Sequence, residues 1–103
     1  MRILIADPLL INRQLIRLAC NGQWVKECQH STEVLAKAKD FDLIFTEVCF
    51  PGLGGREYLE QLRKRTKAKI VLVTAQENDG FDCDFYLRKP TSRNEIKQII
   101  NNP

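Results

Sequence analysis

Phe41-Asp42-Leu43-Ile44-Phe45-Thr46-Glu47-Val48-Cys49-Phe50-Pro51-Gly52-Leu53-Gly54-Gly55 decides the fold. Its first half is a short apolar run with aromatic and β-branched residues, the pattern of a strand buried on both faces. Pro-Gly and Gly-Gly then break the strand and open a loop. A lone acid, Glu47, stands near the strand's C-terminal end. Open parallel α/β sheets place their ligand and catalytic groups at that end. Three other segments finish on a polar group in the same way, at Asp7, Thr74 and Lys89. The pattern predicts that these four side chains meet.

Working outward, strands are predicted over 2–6, 24–28, 42–48, 69–74 and 83–87. Between them lie helical patterns. Asp7-Pro8 reads as N-cap and first helical residue, followed by Ile11, Leu15, Leu18 and Ala19 as the buried face. Ser31 or Thr32 caps a short helix with Val34, Leu35 and Ala38 inward. Gly55 opens a helix with Tyr58, Leu59 and Leu62 inward. Its last turn carries Arg63-Lys64-Arg65, where cations suit the helix dipole. Thr91 or Ser92 caps a last helix with Ile96, Ile99 and Ile100 inward. Alternating strands and helices predict an α/β fold, a doubly wound parallel sheet. One link breaks the alternation. Residues 75–82 are too few for a crossover helix, which needs at least about 10 residues, and Asn78-Asp79-Gly80 is turn chemistry. The fourth crossover helix is expected to be absent or about one turn long.

The totals exclude several classes. The length of 103 residues fits one domain, 1–103, and the net charge of +3 is too small to argue for nucleic acid. No run approaches the roughly 20 apolar residues of a membrane helix. The apolar start at Met1–Ala6 is too short for a signal peptide, so a cytoplasmic location is expected. The four cysteines, Cys20, Cys28, Cys49 and Cys83, have neither zinc nor disulfide spacing and read as free thiols. His30 is isolated in a polar stretch and reads as exposed.

In four places, in order, the chain resembles the receiver domain of two-component response regulators. Ile3-Leu4-Ile5-Ala6-Asp7 resembles the first strand with its acidic end. Residues 42–55 resemble the phospho-acceptor strand and its Pro-Gly loop. Val71-Leu72-Val73-Thr74-Ala75 resembles the strand that ends in a switch hydroxyl, and Tyr86-Leu87-Arg88-Lys89-Pro90 the switch aromatic with its Lys-Pro pair. The resemblance implies a flavodoxin-like sheet of order 2-1-3-4-5 and a cis Lys89-Pro90 bond. It implies switch roles for Thr74 and Tyr86. In the family an aspartate accepts a phosphoryl group, paired acids hold Mg²⁺, and the lysine contacts the phosphoryl oxygens.

The chemical centre departs from that pattern. Glu47 stands at the acceptor position, Pro8 replaces the second acid of the first-strand pair, and Gly54 stands where a further aspartate is common. Mg²⁺ needs near-octahedral oxygen ligation, and one carboxylate is gone. Glu is one methylene longer than Asp, a displacement of about 1 Å that can cost on the order of 10²-fold in rate. The expectation is an atypical, phosphorylation-independent, non-enzymatic receiver without metal or cofactor. Glu47 is expected to pair with Lys89, with Thr74 nearby and Asp7 in the same site. The pair either mimics the phosphorylated state or is only a structural ion pair. Two alternatives are a working Mg²⁺-dependent phospho-acceptor and a thiol redox sensor at Cys49 or Cys83.

The missing helix also predicts an uncovered apolar face. Phe81, Phe85, Leu87, Ile96, Ile99 and Ile100 are the candidates for a homodimer or partner interface there, through the fourth and fifth strands and the last helix. In the opposite case Phe81 folds down and closes the gap. A C-terminal output domain outside this chain is compatible with either.

Overall fold

The computed structural model describes residues 1–103. Five short apolar runs become strands: β1 (Arg2–Ala6), β2 (Trp24–Cys28), β3 (Leu43–Thr46), β4 (Lys69–Thr74) and β5 (Phe85–Arg88). All neighbouring pairs are parallel and the order is β2-β1-β3-β4-β5. This is the expected doubly wound sheet, with order reversal between β1 and β3. The helices are α1 (Leu10–Ala19), α2 (Ser31–Lys37), α3 (Gly55–Arg65) and α4 (Arg93–Asn101), with a 3-10 turn at Ala38–Asp40. No helix is long and apolar enough to cross a membrane.

Successive residues of a strand face opposite sides, so each central strand feeds two cores. Leu4, Ile44, Ile70 and Leu72 pack under α2 and α3, against Val34, Leu35, Tyr58, Leu59 and Leu62. Ile3, Ile5, Phe45, Val71 and Val73 pack under α1 and α4, against Ile16, Ala19, Ile96, Ile99 and Ile100. Burying each such side chain contributes about 1.5–3 kcal/mol relative to leaving it exposed.

No helix forms between β4 and β5. The uncovered face predicted from this does not exist, however. Phe81, Cys83 and Tyr86 lie against the α2–α3 core, so the link itself closes the gap. Phe85 and Leu87 are half-buried against the other core. Ile96, Ile99 and Ile100 are 1%, 8% and 8% exposed and have no free surface to offer a partner. No large apolar side chain is strongly exposed through β4, β5 and the last helix, where an interface was expected.

The apolar surface lies on α1 instead. Ile11, Leu15 and Leu18, predicted inward, are 60%, 57% and 58% exposed. Two ion pairs accompany the rotation of this helix. Glu27 at the end of β2 holds both Arg13 (3.0 Å) and Arg17 (2.7 Å), and Arg13 also donates to the Asp7 carbonyl (2.7 Å). With residues 13 and 17 drawn toward β2, the smaller face of Ile16, Ala19 and Cys20 turns to the sheet. The start of α1 also differs from expectation. Leu9, not Asp7, is its N-cap, because the Asp7 carboxylate turns back to accept the Leu9 N–H (2.9 Å) two residues on. β3 is shorter at both ends than predicted, β5 starts two residues later and ends one residue later, and α4 carries the full capping box between Ser92 and Glu95.

Candidate functional site

The sheet brings Asp7, Glu47, Thr74 and Lys89 together, as their positions at strand ends require. Asp7 follows β1, Glu47 follows β3, Thr74 ends β4 and Lys89 follows β5. Lys89 Nζ donates to Asp7 Oδ2 and to Glu47 Oε1, both at 2.8 Å. The side chains of Asp7 and Glu47 are only 2% and 9% exposed, and that of Lys89 is 21% exposed. One half-buried ammonium thus holds two buried carboxylates.

Glu47 spends its other oxygen on the backbone. Its Oε2 accepts the N–H groups of Val48 (2.7 Å) and Cys49 (3.2 Å). Burial alone would push this carboxyl up. The Lys89 ammonium, the Thr74 hydroxyl and the two amides outweigh burial and hold it below its ordinary value. Lys89 shows the mirror image. Burial lowers it, but Asp7 and Glu47 more than compensate, and it stays charged above its usual range.

These shifts set a pH dependence. A carboxyl with a depressed folded pKa stabilises the fold above its ordinary 4.5, and that contribution disappears as pH falls through the folded value. A lysine with a raised pKa stabilises below its ordinary 10.5, and loses that contribution as pH rises through the folded value. Urea midpoints should therefore fall on the acid side, and more shallowly in Glu47→Gln than in the wild type. Parallel acid limbs in the two proteins would show that Glu47 does not contribute to the fall.

The donor set does not fit a divalent cation. No group of three His, Cys, Asp or Glu side chains is placed to hold a metal ion. The two carboxylates that meet are already bridged by Lys89, and Pro8 supplies no ligand. The loop after β3 adds a second departure. A Cβ on Gly54 would lie 2.9 Å from the Val48 carbonyl oxygen and 3.0 Å from that of Phe50. Backbone fills the space, so the aspartate expected here from the resemblance has no room.

Thr74 is fully buried and accepts from the Gln76 N–H (3.3 Å), while the half-buried Tyr86 donates its hydroxyl to the Gln76 carbonyl. The Lys89–Pro90 bond is cis. Cys49 is exposed beside the site, but burial and then the Glu47 charge raise its pKa. Cys83 is raised as well, by burial first. A reactive thiol needs the opposite shift, so the redox reading loses its basis.

Comparison with known proteins agrees with this fold. The family model for the response regulator receiver domain matches residues 3–101. The chain belongs to the response regulator receiver domain family. It is 28% identical over 106 residues to the transcriptional regulatory protein ResD of Bacillus subtilis, covering 92% of this chain and 44% of ResD. Among solved structures, a CheY-like receiver domain protein from Methanospirillum hungatei superposes with a TM-score of 0.85 at 24% identity, covering 97% of this chain and 90% of that one. The response regulator TrrA of Thermotoga maritima, solved in complex with Mg²⁺ and BeF, gives 0.81 at 29% identity, over 97% and 96% of the two chains. The receiver spans less than half the length of the curated relatives it matches.

Proposed function

We propose that this is an atypical receiver whose state is not set by phosphorylation, and which signals through contacts with other proteins as part of a transcription regulator. The observation that carries the reading is the Lys89 ammonium held at 2.8 Å by both Asp7 and Glu47. In the family the lysine contacts a phosphoryl group. Here the extra methylene of Glu47 lets one carboxylate oxygen meet the lysine while the other takes two backbone amides. The donors that would stabilise a phosphoryl group are thereby committed, and the site holds a permanent negative charge. The domain performs no catalysis of its own. Its similarity to ResD supports a role in transcription, with the output function in a segment beyond this chain. The apolar stripe Ile11, Leu15 and Leu18 is the exposed surface best suited to a protein partner.

The competing reading is a Mg²⁺-dependent phospho-acceptor, favoured by the similarity to TrrA. One experiment separates them. After incubation with Mg²⁺ and acetyl phosphate, intact-mass analysis should show no added phosphoryl group. A stable gain of one phosphoryl group in the wild type, absent from Glu47→Gln, would overturn the proposal.

A further inference from the structure

Between α1 and α4 the surface folds into a cleft of about 360 Å³. Its floor is Ile16, Val73 and Ile96, all nearly inaccessible to solvent. Leu15 and Leu18 form one wall, and Pro90, Thr91 and Arg93 the other. The volume falls in the range of small-ligand cavities, about 300–1,000 Å³, and the lining is of their kind: mostly apolar, with a few polar groups.

No Asp or Glu lines the cleft, and in the adjoining groove Arg17 is paired with Glu27 while Arg93 and Lys97 have no acidic partner. Of the two cations in the cleft itself, Lys89 is already held by Asp7 and Glu47. Arg93 is different. The side-chain hydrogen bonds at the start of α4 belong to Thr91, Ser92 and Glu95, and the Arg93 guanidinium has no partner within the chain. A free guanidinium beside an apolar cleft suits a carboxylate, which it binds through two parallel N–H···O bonds.

We propose that this cleft binds a small amphiphilic carboxylate, an aliphatic or aromatic acid. Its apolar body rests on Leu15, Ile16, Leu18, Val73 and Ile96, and its carboxylate on Arg93. The site does not rest on the reading of Glu47. A bound ligand would cover Leu15 and Leu18, and so would act directly on the α1 surface assigned to protein contacts.

The test is an amide chemical-shift titration of the whole chain with decanoate below its micelle concentration. Decanol and decyltrimethylammonium serve as comparators. Decanoate should give saturable shifts confined to residues of α1, to the C-terminal end of β4 around Val73 and to 89–96. Arg93→Gln should weaken decanoate about tenfold or more, the loss of a charge-assisted hydrogen bond, and leave decanol unchanged. Leu18→Gln should weaken both. Arg93 and Leu18 are exposed, so neither variant threatens the fold. The proposal fails if no saturable shifts occur there, if shifts spread over the whole surface, or if Arg93→Gln binds decanoate like the wild type. It also fails if the ammonium comparator binds as well as decanoate. Sedimentation of a wild-type dimer whose contact buries these residues would assign the cleft to a second copy and overturn it too.

Discussion

Lys89→Met should cost the domain about 3–5 kcal/mol, the range for removing one partner of a buried ion pair. For a domain of this size that is a melting temperature lower by on the order of 15 °C. The reason is charge arithmetic. Asp7, Glu47 and Lys89 together carry one net negative charge in a site whose carboxylates are 2% and 9% exposed. Without the ammonium the two acids face each other unpaired, and one must take up a proton or find water. The variant should therefore recover stability relative to the wild type as pH falls. Adding Glu47→Gln to Lys89→Met should restore part of the loss, since one buried charge is then gone. Urea denaturation of the four proteins measures this as a double-mutant cycle. A Lys89→Met variant within about 1 kcal/mol of the wild type would mean that water already screens the site.

Tyr58→Ala should cost a similar amount, about 3–5 kcal/mol, for a different reason. Tyr58 is fully buried, where α3 meets β3. Its ring packs edge-on against Phe50 at 5.2 Å between centroids, and its hydroxyl meets Thr46 Oγ1 at 2.8 Å. Truncation opens a cavity in the middle of the α2–α3 core. Tyr58→Phe should cost only about 1 kcal/mol, because the ring stays and Thr46 keeps its bond to the Glu47 carbonyl. Equal losses in the two variants would place the energy in the hydroxyl and contradict this account.

The sequence made the site legible because its logic is one of position. Strands buried on both faces read as continuous apolar runs, and each run ended on one polar residue, so Asp7, Glu47, Thr74 and Lys89 had to converge. The shortened fourth crossover was a matter of counting residues. The face of α1 was not legible in the same way. Apolar residues at 11, 15 and 18 and at 16, 19 and 20 make two competing stripes, and the larger side chains favoured the wrong one. Tertiary ion pairs from Glu27 to Arg13 and Arg17 accompany the one that is buried, and no helical periodicity encodes these. The closure of the β4–β5 gap by Phe81, Cys83 and Tyr86 was likewise a question of how a short loop folds, which composition does not specify.

β5 is one of the two edges of the sheet, four residues long, with no residue fully buried. It follows an exposed link, while β1, β3 and β4 lie almost wholly inside. Amide exchange should rank them accordingly, slowest in the three inner strands and faster in β5. Yet β5 delivers Lys89, the only cation of the buried triad. Peeling the edge away would carry the ammonium out with it and leave two carboxylates stranded. The ion pairs thus act as a clasp on an edge strand, and its exchange rate should report directly on whether the clasp is shut.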